Sequence, residues 1–314
     1  MPRPLSATAD RVPWEAVPPG VRRTLEAWLG EPVVTSTTHA GGFSPGLAAT
    51  LETASGRRVF AKAVGPDRNA DSPAIYRQEA VIVRRLPSGL PVPRLLHDFE
   101  DEASGWVALV FEQVDGHEPE LPWNPADLDL VLAALVELSA ALTPAPVDAP
   151  ALSRKLERGL TGWRLLRDRD ETRLEPWARE KLDRLAGLEA GAAAAGGGDT
   201  LLHIDVRADN LLLTTDRVVL VDWPWASTGA AFAEMVFFAP SVEMQGGPGC
   251  EALAGRHPAF AAADPRKVDS VIAAWSGFLI RSSLQPPAPN LPGLREFQAA
   301  QGEVALRWLR DRLE

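Results

Sequence analysis

Very little cysteine, no long apolar run and no excess of positive charge distinguish this sequence. Cys250 is its only cysteine, so an intrachain disulfide is excluded, and no Cys or His lies near it at a metal-site spacing. No stretch approaches the roughly 20 apolar residues of a membrane-spanning helix, and residues 1–20 lack the apolar core of a signal peptide. We therefore expect a soluble protein of a reducing compartment, by default cytoplasmic, with no membrane partner.

The chain is acidic, with a net charge of −10 at pH 7. This balance disfavours a nucleic-acid partner, because nucleic-acid-binding domains carry a basic surface. Most of the negative charge falls in residues 116–314. There it indicates either the attraction of a cationic substrate or an acidic surface that only aids solubility.

The first part of the chain has the pattern of a small antiparallel sheet. Short β-rich runs are separated by turns that contain glycine, and a helix over residues 72–86 begins with Ser72 and Pro73, which suit a helix start. Another helix is expected over residues 18–30. The predicted strands cover residues 33–38, 47–53, 58–64, 94–100 and 106–111.

The second part has mainly helical apolar spacing. A run of Gly and Ala at residues 191–198 is expected to be a flexible connector. The predicted helices cover residues 125–142, 153–168, 174–188, 230–242, 252–263, 265–283 and 291–313. The fold class is therefore α+β, divided into a partly loose tail (1–20), a smaller N-terminal lobe (21–115) and a larger, mostly helical C-terminal lobe (116–314).

The stretch from Leu201 to Ala226 carries the clearest functional pattern. In it His203, Asp205 and Asn210 form an H-x-D-x-x-x-x-N unit, and Asp222 follows downstream. These residues suit phosphoryl transfer, in which one carboxylate orients the proton of an attacking hydroxyl while an amide and a second carboxylate hold magnesium. Asp205 is therefore the candidate catalytic base, and Asn210 and Asp222 are the candidate Mg²⁺ ligands.

The spacing in this stretch brings the two candidate metal ligands together. The apolar runs 211–213 and 218–221 indicate short strands joined by a turn at residues 214–217. Since a hairpin returns to the end at which it starts, we expect Asn210 and Asp222 to lie side by side.

A glycine-rich turn in the N-terminal lobe is a candidate phosphate-binding loop. It contains Gly41, Gly42, Phe43 and Ser44. Without Cβ atoms, the backbone N–H groups of such a turn can approach phosphate oxygens closely. An ordinary hairpin turn explains the same residues.

Lys62 and Glu79 are the candidate phosphate-anchoring pair. Lys62 lies in the third predicted strand and can reach phosphates from beneath the turn, while Glu79 lies in the middle of the helix and can hold the ammonium in place. The alternatives are a lysine that points outward from the sheet and a glutamate that pairs locally with Arg77 or Arg84.

Two further features near these motifs are expected to contact ligands. Residues Glu112 to Val114 follow the last strand of the N-terminal lobe, where backbone groups of Glu112 and Val114 could bind an adenine edge. Most of the ten tryptophans are assigned to core packing. Trp223 and Trp225 adjoin Asp222 and are expected to line the site.

The order of these motifs resembles the aminoglycoside phosphotransferase family, the small-molecule branch of the protein-kinase-like fold. The resemblance covers roughly residues 35–245 and implies a two-lobe fold, ATP (or GTP) as donor, Mg²⁺, and a small hydroxyl-bearing acceptor. By motif position it implies the following roles: Asp205 as the catalytic aspartate, Asn210 and Asp222 as metal ligands, Lys62 and Glu79 as the phosphate-anchoring pair, and Gly41, Gly42, Phe43 and Ser44 as the nucleotide loop.

Two positions depart from the family pattern. Ile204 stands where the family often has glycine, and Trp223-Pro224 replaces the Phe-Gly that follows the metal-binding aspartate in protein kinases. The second departure argues against a protein substrate.

Our first hypothesis is therefore an ATP-dependent O-phosphotransferase that acts on an aminoglycoside or another antibiotic. Alternatives are a metabolic kinase for a choline-like, amino-alcohol or sugar substrate, and a nucleotide-binding regulator without catalysis. The sequence leaves the acceptor, the choice of ATP or GTP, and the oligomeric state open.

Overall fold

The computed structural model describes residues 9–169, 171 and 173–314. Within them the first part of the chain forms a five-stranded sheet of order β1-β2-β3-β5-β4. Every neighbouring pair of strands is antiparallel, which confirms the expected kind of sheet. The strands are β1 (Val33–Thr38), β2 (Leu47–Thr53), β3 (Arg58–Val64), β4 (Leu95–Asp101) and β5 (Trp106–Glu112).

The two faces of the sheet pack against different helices. Successive side chains of a strand point to opposite faces, so Ala61 and Ala63 of β3 join a core closed by α1 (Pro19–Leu29). Lys62 stands between them and points the other way, towards α2 (Ser72–Val83). The alternation of β3 therefore aims the lysine into the space between the sheet and the rest of the chain.

Residues 9–18 pack against the fold, although the sequence suggested a partly loose tail. The indole of Trp14 is buried, and the N–H of Asp10 donates to the carbonyl oxygen of Asn290 over 3.2 Å. Residues 1–8 of the expected tail lie outside the described residues.

Helices form most of the second part, as expected. Polar side chains cap several of them; for example, the side chain of Asn124 accepts the backbone N–H of Asp127 over 2.8 Å at the start of α3. The helices are α3 (Pro125–Ala141), α4 (Leu152–Arg158), α5 (Gly162–Asp168), α6 (Pro176–Glu180), α7 (Leu182–Ala195), α8 (Ala233–Met244), α9 (Cys250–Ala254), α10 (Pro258–Ala261), α11 (Pro265–Ser283) and α12 (Leu294–Leu313).

Three of the expected helices are each divided in two. The range 153–168 contains α4 and α5, because α5 turns to pack directly on α11. At their contact a Cβ on Gly162 would lie 1.8 Å from the carbonyl oxygen of Gly277, so only glycine fits. The ranges 174–188 and 252–263 are likewise each shared between two helices.

The Gly-Ala run at residues 191–198 is mostly helical, so the expectation of a flexible connector was wrong. Helix α7 continues to Ala195, and Ala192 and Ala195 are buried. Alanine has the highest intrinsic helix propensity, and α7 packs against α11. Only residues 196–198 leave the helix.

Short strands hold the stretch that carries the H-x-D-x-x-x-x-N unit. β7 (Leu211–Leu213) and β8 (Val218–Leu220) pair as the expected hairpin. β6 (Thr200–Leu202) also pairs with β9 (Ser227–Gly229), which sequence could not predict because three residues are too few to show a period. Among the helices of the described ranges, none is long and apolar enough to cross a membrane.

Candidate active site

Lys62 and Glu79 form an ion pair between the sheet and α2. The lysine Nζ contacts Glu79 Oε2, and the two residues are only 7% and 1% exposed. Arg77 and Arg84, the alternative partners of Glu79, pair instead with carboxylates of β4. The structure thus brings together two residues from different elements that the sequence linked only by their order.

Lys62 also reaches across the cleft to Asp222, with 2.6 Å between Nζ and Oδ1. Burial alone would lower the pKa of Lys62, but the carboxylates of Asp222 and Glu79 raise it, so the side chain stays charged. Burial would likewise raise the pKa of Asp222, yet the Lys62 ammonium holds it below the ordinary value. Burial raises the pKa of Glu79 to about 7 against the opposing effect of Lys62.

Asp205 lies in the loop between β6 and β7, in contact with two neighbours. The Asn210 amide nitrogen donates to its carbonyl oxygen over 2.8 Å and to Oδ2 over 3.3 Å, and Arg207 Nη1 contacts Oδ1. Burial raises the pKa of Asp205 to about 6, while the Arg207 guanidinium opposes that rise. Such a carboxylate is ionised near neutral pH and can accept a proton from a hydroxyl.

His203 orients this loop through both of its ring nitrogens. Nε2 donates to the carbonyl oxygen of Val221 over 2.9 Å, and Nδ1 accepts the N–H of Asp205 over 3.2 Å. Burial lowers the pKa of His203 to about 4, which keeps the ring neutral, as one donating and one accepting nitrogen require. The ring also packs edge-to-face on Trp223, 4.7 Å between centroids.

Glu234 of α8 binds the backbone of the same loop. Its carboxylate accepts the N–H of His203 over 2.7 Å and that of Ile204 over 2.8 Å. Ile204 has φ +59°, a left-handed backbone that glycine adopts freely and a β-branched residue does not. This φ gives the physical reason why glycine suits the position, and the isoleucine side chain lines the cleft.

The side chains of Asn210 and Asp222 offer two oxygens to a cation. The N–H of Val221 donates to the carbonyl oxygen of Asn210 over 3.0 Å, which brings the two residues together as the hairpin predicted. Asn210 uses its amide nitrogen and Asp222 its Oδ1, so Asn210 Oδ1 and Asp222 Oδ2 are without a hydrogen-bond partner among the residues described. Oxygens of this kind are the ligands that Mg²⁺ prefers.

A cation held there would need further oxygens from elsewhere. In the part of the chain that the structure describes, no group of three or more His, Cys, Asp or Glu could hold a metal ion. Mg²⁺ in proteins commonly takes one or two carboxylates and completes its shell with water and phosphate oxygens. The pair Asn210 and Asp222 therefore fits a metal that arrives with a nucleotide.

The glycine-rich turn lies between β1 and β2, over the same cleft. The Ser44 hydroxyl forms a 2.6 Å hydrogen bond with the Tyr76 hydroxyl of α2. At the tip, the Phe43 ring meets Phe297 of α12 edge-on, with 5.2 Å between centroids. The turn residues that line the cleft are Gly41, Gly42, Phe43 and Ser44.

Arg11 contacts this turn and was not predicted. Its Nη1 donates to the carbonyl oxygen of Ser44 over 2.5 Å, and Nη2 contacts that of Gly41. A Cβ on Gly42 would lie 2.9 Å from Nη2, so the glycine leaves room for the guanidinium. Burial lowers the pKa of Arg11, while nearby acidic groups that include Asp222 oppose this. An arginine in a Pro-rich segment has no sequence signature that marks such a contact.

Arg207 is a second cation that the sequence reasoning missed. It pairs with Asp209 over 2.9 Å and contacts Asp205, and its guanidinium lies 5.5 Å from the Phe43 ring centroid. Burial would lower the pKa of Arg207, but both carboxylates raise it. Its place two residues after Asp205 was the available signal.

Residues Glu112 and Val114 line the cleft beside β5. The N–H of Glu112 is engaged by the carbonyl oxygen of Arg94 over 3.0 Å, and the carbonyl oxygen of Val114 accepts Gln113 Nε2 over 3.1 Å. The N–H of Val114 has no partner within the described ranges and so is the backbone donor that could serve a ligand.

All the candidate residues surround one cleft of about 1000 Å³. Trp225 lines it and is 44% exposed, whereas Trp223, which also lines it, is buried against His203. Trp275 lines the cleft too, although the sequence suggested only core packing for it. The Lys62 ammonium, the Asp205 carboxylate and the free oxygens of Asn210 and Asp222 thus face one cleft, which has the volume of a small-molecule site.

Solved structures of known proteins share this fold. An aminoglycoside-3'-phosphotransferase of type VIII has a TM-score of 0.55 at 20% identity, covering 83% of this chain and 99% of that chain. A choline/ethanolamine kinase family protein from Mesorhizobium loti has a TM-score of 0.60 at 16% identity, covering 93% and 96%. An amicoumacin kinase in complex with AMP-PNP, Ca²⁺ and Ami has a TM-score of 0.51 at 11% identity, covering 90% and 92%.

These similarities show that the five-stranded sheet and the helical part together form a kinase-like fold. A search of curated proteins found no match. The sequence profile of the phosphotransferase enzyme family matches residues 37–270, which include every candidate residue from Gly41 to Asp222. The chain therefore belongs to the phosphotransferase enzyme family, and it is a small-molecule kinase or phosphotransferase.

Proposed function

We propose that this protein is an ATP-dependent O-phosphotransferase that transfers the γ-phosphate to a hydroxyl of a small molecule in the cytoplasm. The observation that carries this proposal is the placement of Lys62, which pairs with Glu79 and with Asp222 at once. That arrangement joins a phosphate-binding cation, its anchor and a metal-type carboxylate beside Asp205. A binding module without catalysis would not need the base.

In the proposed reaction Asp205 accepts the proton of the acceptor hydroxyl. The hydroxyl oxygen forms a bond to the γ-phosphorus while the bond from that phosphorus to the β,γ-bridging oxygen breaks, and ADP leaves. Lys62 stabilises the negative charge of the phosphates, and Glu79 fixes its ammonium. Asn210 and Asp222 would hold Mg²⁺, which supplies further charge neutralisation at the phosphates.

The nucleotide side of the cleft is proposed to consist of the glycine-rich turn and the Glu112–Val114 segment. Backbone N–H groups of the turn would approach the phosphates. The unpaired N–H of Val114 would donate a hydrogen bond to the adenine ring of the nucleotide. ATP is the proposed donor, with GTP as the alternative.

The acceptor is proposed to be an antibiotic, whether an aminoglycoside or one of another class, or alternatively a metabolic choline-like molecule, amino alcohol or sugar. The test is a coupled assay of ADP release with Mg²⁺ and a broad panel of hydroxyl compounds. We expect acceptor-dependent turnover that Asp205→Asn reduces by about 10²–10⁴-fold while ATP affinity is retained. Magnesium-independent ATP binding with no turnover on any acceptor would contradict the proposal and favour a regulator.

A further inference from the structure

Beyond the catalytic stretch, the helical part of the chain lines the cleft mainly with apolar side chains, together with Lys155, Gln298 and Gln301. This wall comes from α4 and the residues just after it, α8, α11, α12 and the segment that precedes α12. We call it the acceptor wall; its apolar and aromatic members include Leu160, Phe237, Trp275, Phe278, Leu291 and Leu294. The rings are packed together, with Phe237 edge-on to Trp275 at 5.0 Å and Trp275 stacked on Phe278 at 5.4 Å. A surface of this kind gains free energy by burying apolar area.

Ile204 is a further apolar residue that lines the cleft. It is adjacent to Asp205 in the chain, lines the cleft and holds φ +59°. A left-handed conformation strains the backbone of a non-glycine residue, and glycine would avoid that strain. The chain thus keeps an apolar side chain next to Asp205, at a position where the backbone is strained.

Lys155 is the only charged side chain that these elements contribute to the acceptor wall among the described residues. Its Nζ donates to the carbonyl oxygen of Trp225 over 2.5 Å and lies 5.5 Å from the centroid of that ring. Within the same part of the chain it forms no ion pair. Burial lowers its pKa to about 8, with Asp205 opposing, so the ammonium is charged at neutral pH and can accept an anionic partner.

Among the described residues, no carboxylate that lines the cleft comes from α4, α8, α11 or α12. Asp129, Glu243 and Glu251 pair with arginines, and none of the three lines the cleft. The carboxylates that do line it belong to the catalytic stretch or to the nucleotide side, such as Glu118, which lies beside Gly41. A polycation would meet the ammonium of Lys155 on this wall and no carboxylate from these elements.

We propose that the acceptor is an alcohol with a flat apolar body and a carboxylate or carbonyl oxygen that meets Lys155, rather than a polycation. This inference rests on the proposed function and narrows its substrate class. Among antibiotics and metabolites alike, it favours aromatic or lipophilic alcohols with an oxygen acceptor over polycationic aminoglycosides.

Binding of a charge series on one skeleton tests this inference. The probes are biphenyl alcohols that carry a carboxylate, a carboxamide or an ammonium group at the same position, together with an aminoglycoside. Dissociation constants are measured by calorimetry at pH 7 with the full chain. We expect the carboxylate to bind about tenfold more tightly than the ammonium compound, and the aminoglycoside to bind most weakly.

Variants test whether the preference for the carboxylate probe depends on the acceptor wall. Lys155→Met is expected to abolish the carboxylate preference to within about twofold, and Lys155→Arg to retain it. Lys267→Met, an exposed lysine of α11 outside the cleft, is the matched control and should change nothing. Ile204→Gly should weaken binding of all three biphenyl probes severalfold without lowering the thermal midpoint, because backbone strain is relieved.

The possible outcomes test the inferred substrate class separately from the proposed phosphoryl transfer on which it rests. Tighter binding of the aminoglycoside or the ammonium probe, or no binding of any biphenyl probe, would overturn the inference. Preferential binding of the carboxylate without phosphoryl transfer from ATP would leave the substrate class standing and contradict the proposed kinase reaction. Phosphoryl transfer to aminoglycosides alone would support the proposed kinase reaction and overturn the inferred substrate class.

Discussion

The ammonium of Lys62 lies 2.6 Å from the carboxylate of Asp222, although 160 positions separate them in the chain. One residue belongs to a strand of the sheet and the other follows a hairpin of the helical lobe. This contact, together with Glu79, joins three ionisable groups in one cluster, in which Lys62 and Glu79 are buried and Asp222 is open to the cleft. In the proposed reaction, the phosphates would share Lys62 with Asp222.

Removal of Lys62 should destabilise the fold as well as weaken nucleotide binding. Lys62→Met leaves Glu79 buried without its cation, and breaking a buried pair in this way costs roughly 3–5 kcal/mol. The double variant Lys62→Met/Glu79→Gln should recover part of that loss because the unpaired charge is gone. Urea unfolding measures stability, and ATP titration should show weak binding in both variants. A double variant no more stable than the single one would refute this account.

Acceptor turnover should fall at acidic pH with an apparent pKa near 6. Burial raises the pKa of Asp205 to about 6, and only the ionised form can accept a proton, so kcat/KM should drop about tenfold per pH unit below that value. Arg207→Gln removes the cation that opposes the rise, and the acid limb should therefore move to higher pH. The measurement is a pH profile of kcat/KM for the acceptor. An acid limb near pH 4, or a downward shift in Arg207→Gln, would argue against Asp205 as the base.

Loss of Arg11 should loosen the glycine-rich turn. The guanidinium binds the carbonyl oxygens of Gly41 and Ser44, so Arg11→Ala removes two contacts that fix the turn. We expect the KM for ATP to rise severalfold and hydrogen exchange in residues 41–46 to become faster. Arg23→Ala, an exposed arginine of α1, is the control. Unchanged exchange in the turn would show that Arg11 does not hold it.

Glu234 should act on turnover through the backbone of the catalytic loop. Its carboxylate accepts two N–H groups, from His203 and Ile204, and Glu234→Gln can accept only one of them without opposing donors. We expect kcat to fall by about tenfold, since leaving a buried donor unsatisfied costs roughly 1–3 kcal/mol, while ATP affinity stays the same. Glu137→Gln on an exposed face of α3 is the control. A rise in the KM for ATP with unchanged kcat would point to a different role.

Much of the fold was readable from periodicity. The five strands had clear β-rich runs bounded by glycine turns, and the hairpin at residues 211–220 brought Asn210 and Asp222 together as expected. The division of the expected helix over residues 153–168 into two helices could not be predicted from the sequence. It depends on the close approach of Gly162 to Gly277, more than a hundred residues away, and local spacing does not reveal a contact of that kind.

The site residues could be predicted where a motif has a fixed spacing. They could not be predicted where a distant segment supplies the side chain. Lys62 and Glu79 followed from strand alternation and helix position. Arg11 comes from outside the expected lobes, and Glu234 lies thirty positions after the loop it supports. Neither has a local pattern, because each acts through backbone groups of another segment.

The edge-on contact of Phe43 with Phe297 joins the two parts of the chain that line the cleft. The tip of the glycine-rich turn rests on α12, the same helix that lines the acceptor side of the cleft. The turn and α12 are thus coupled through this pair of rings. A substitution at either ring would change the packing on both sides of the cleft.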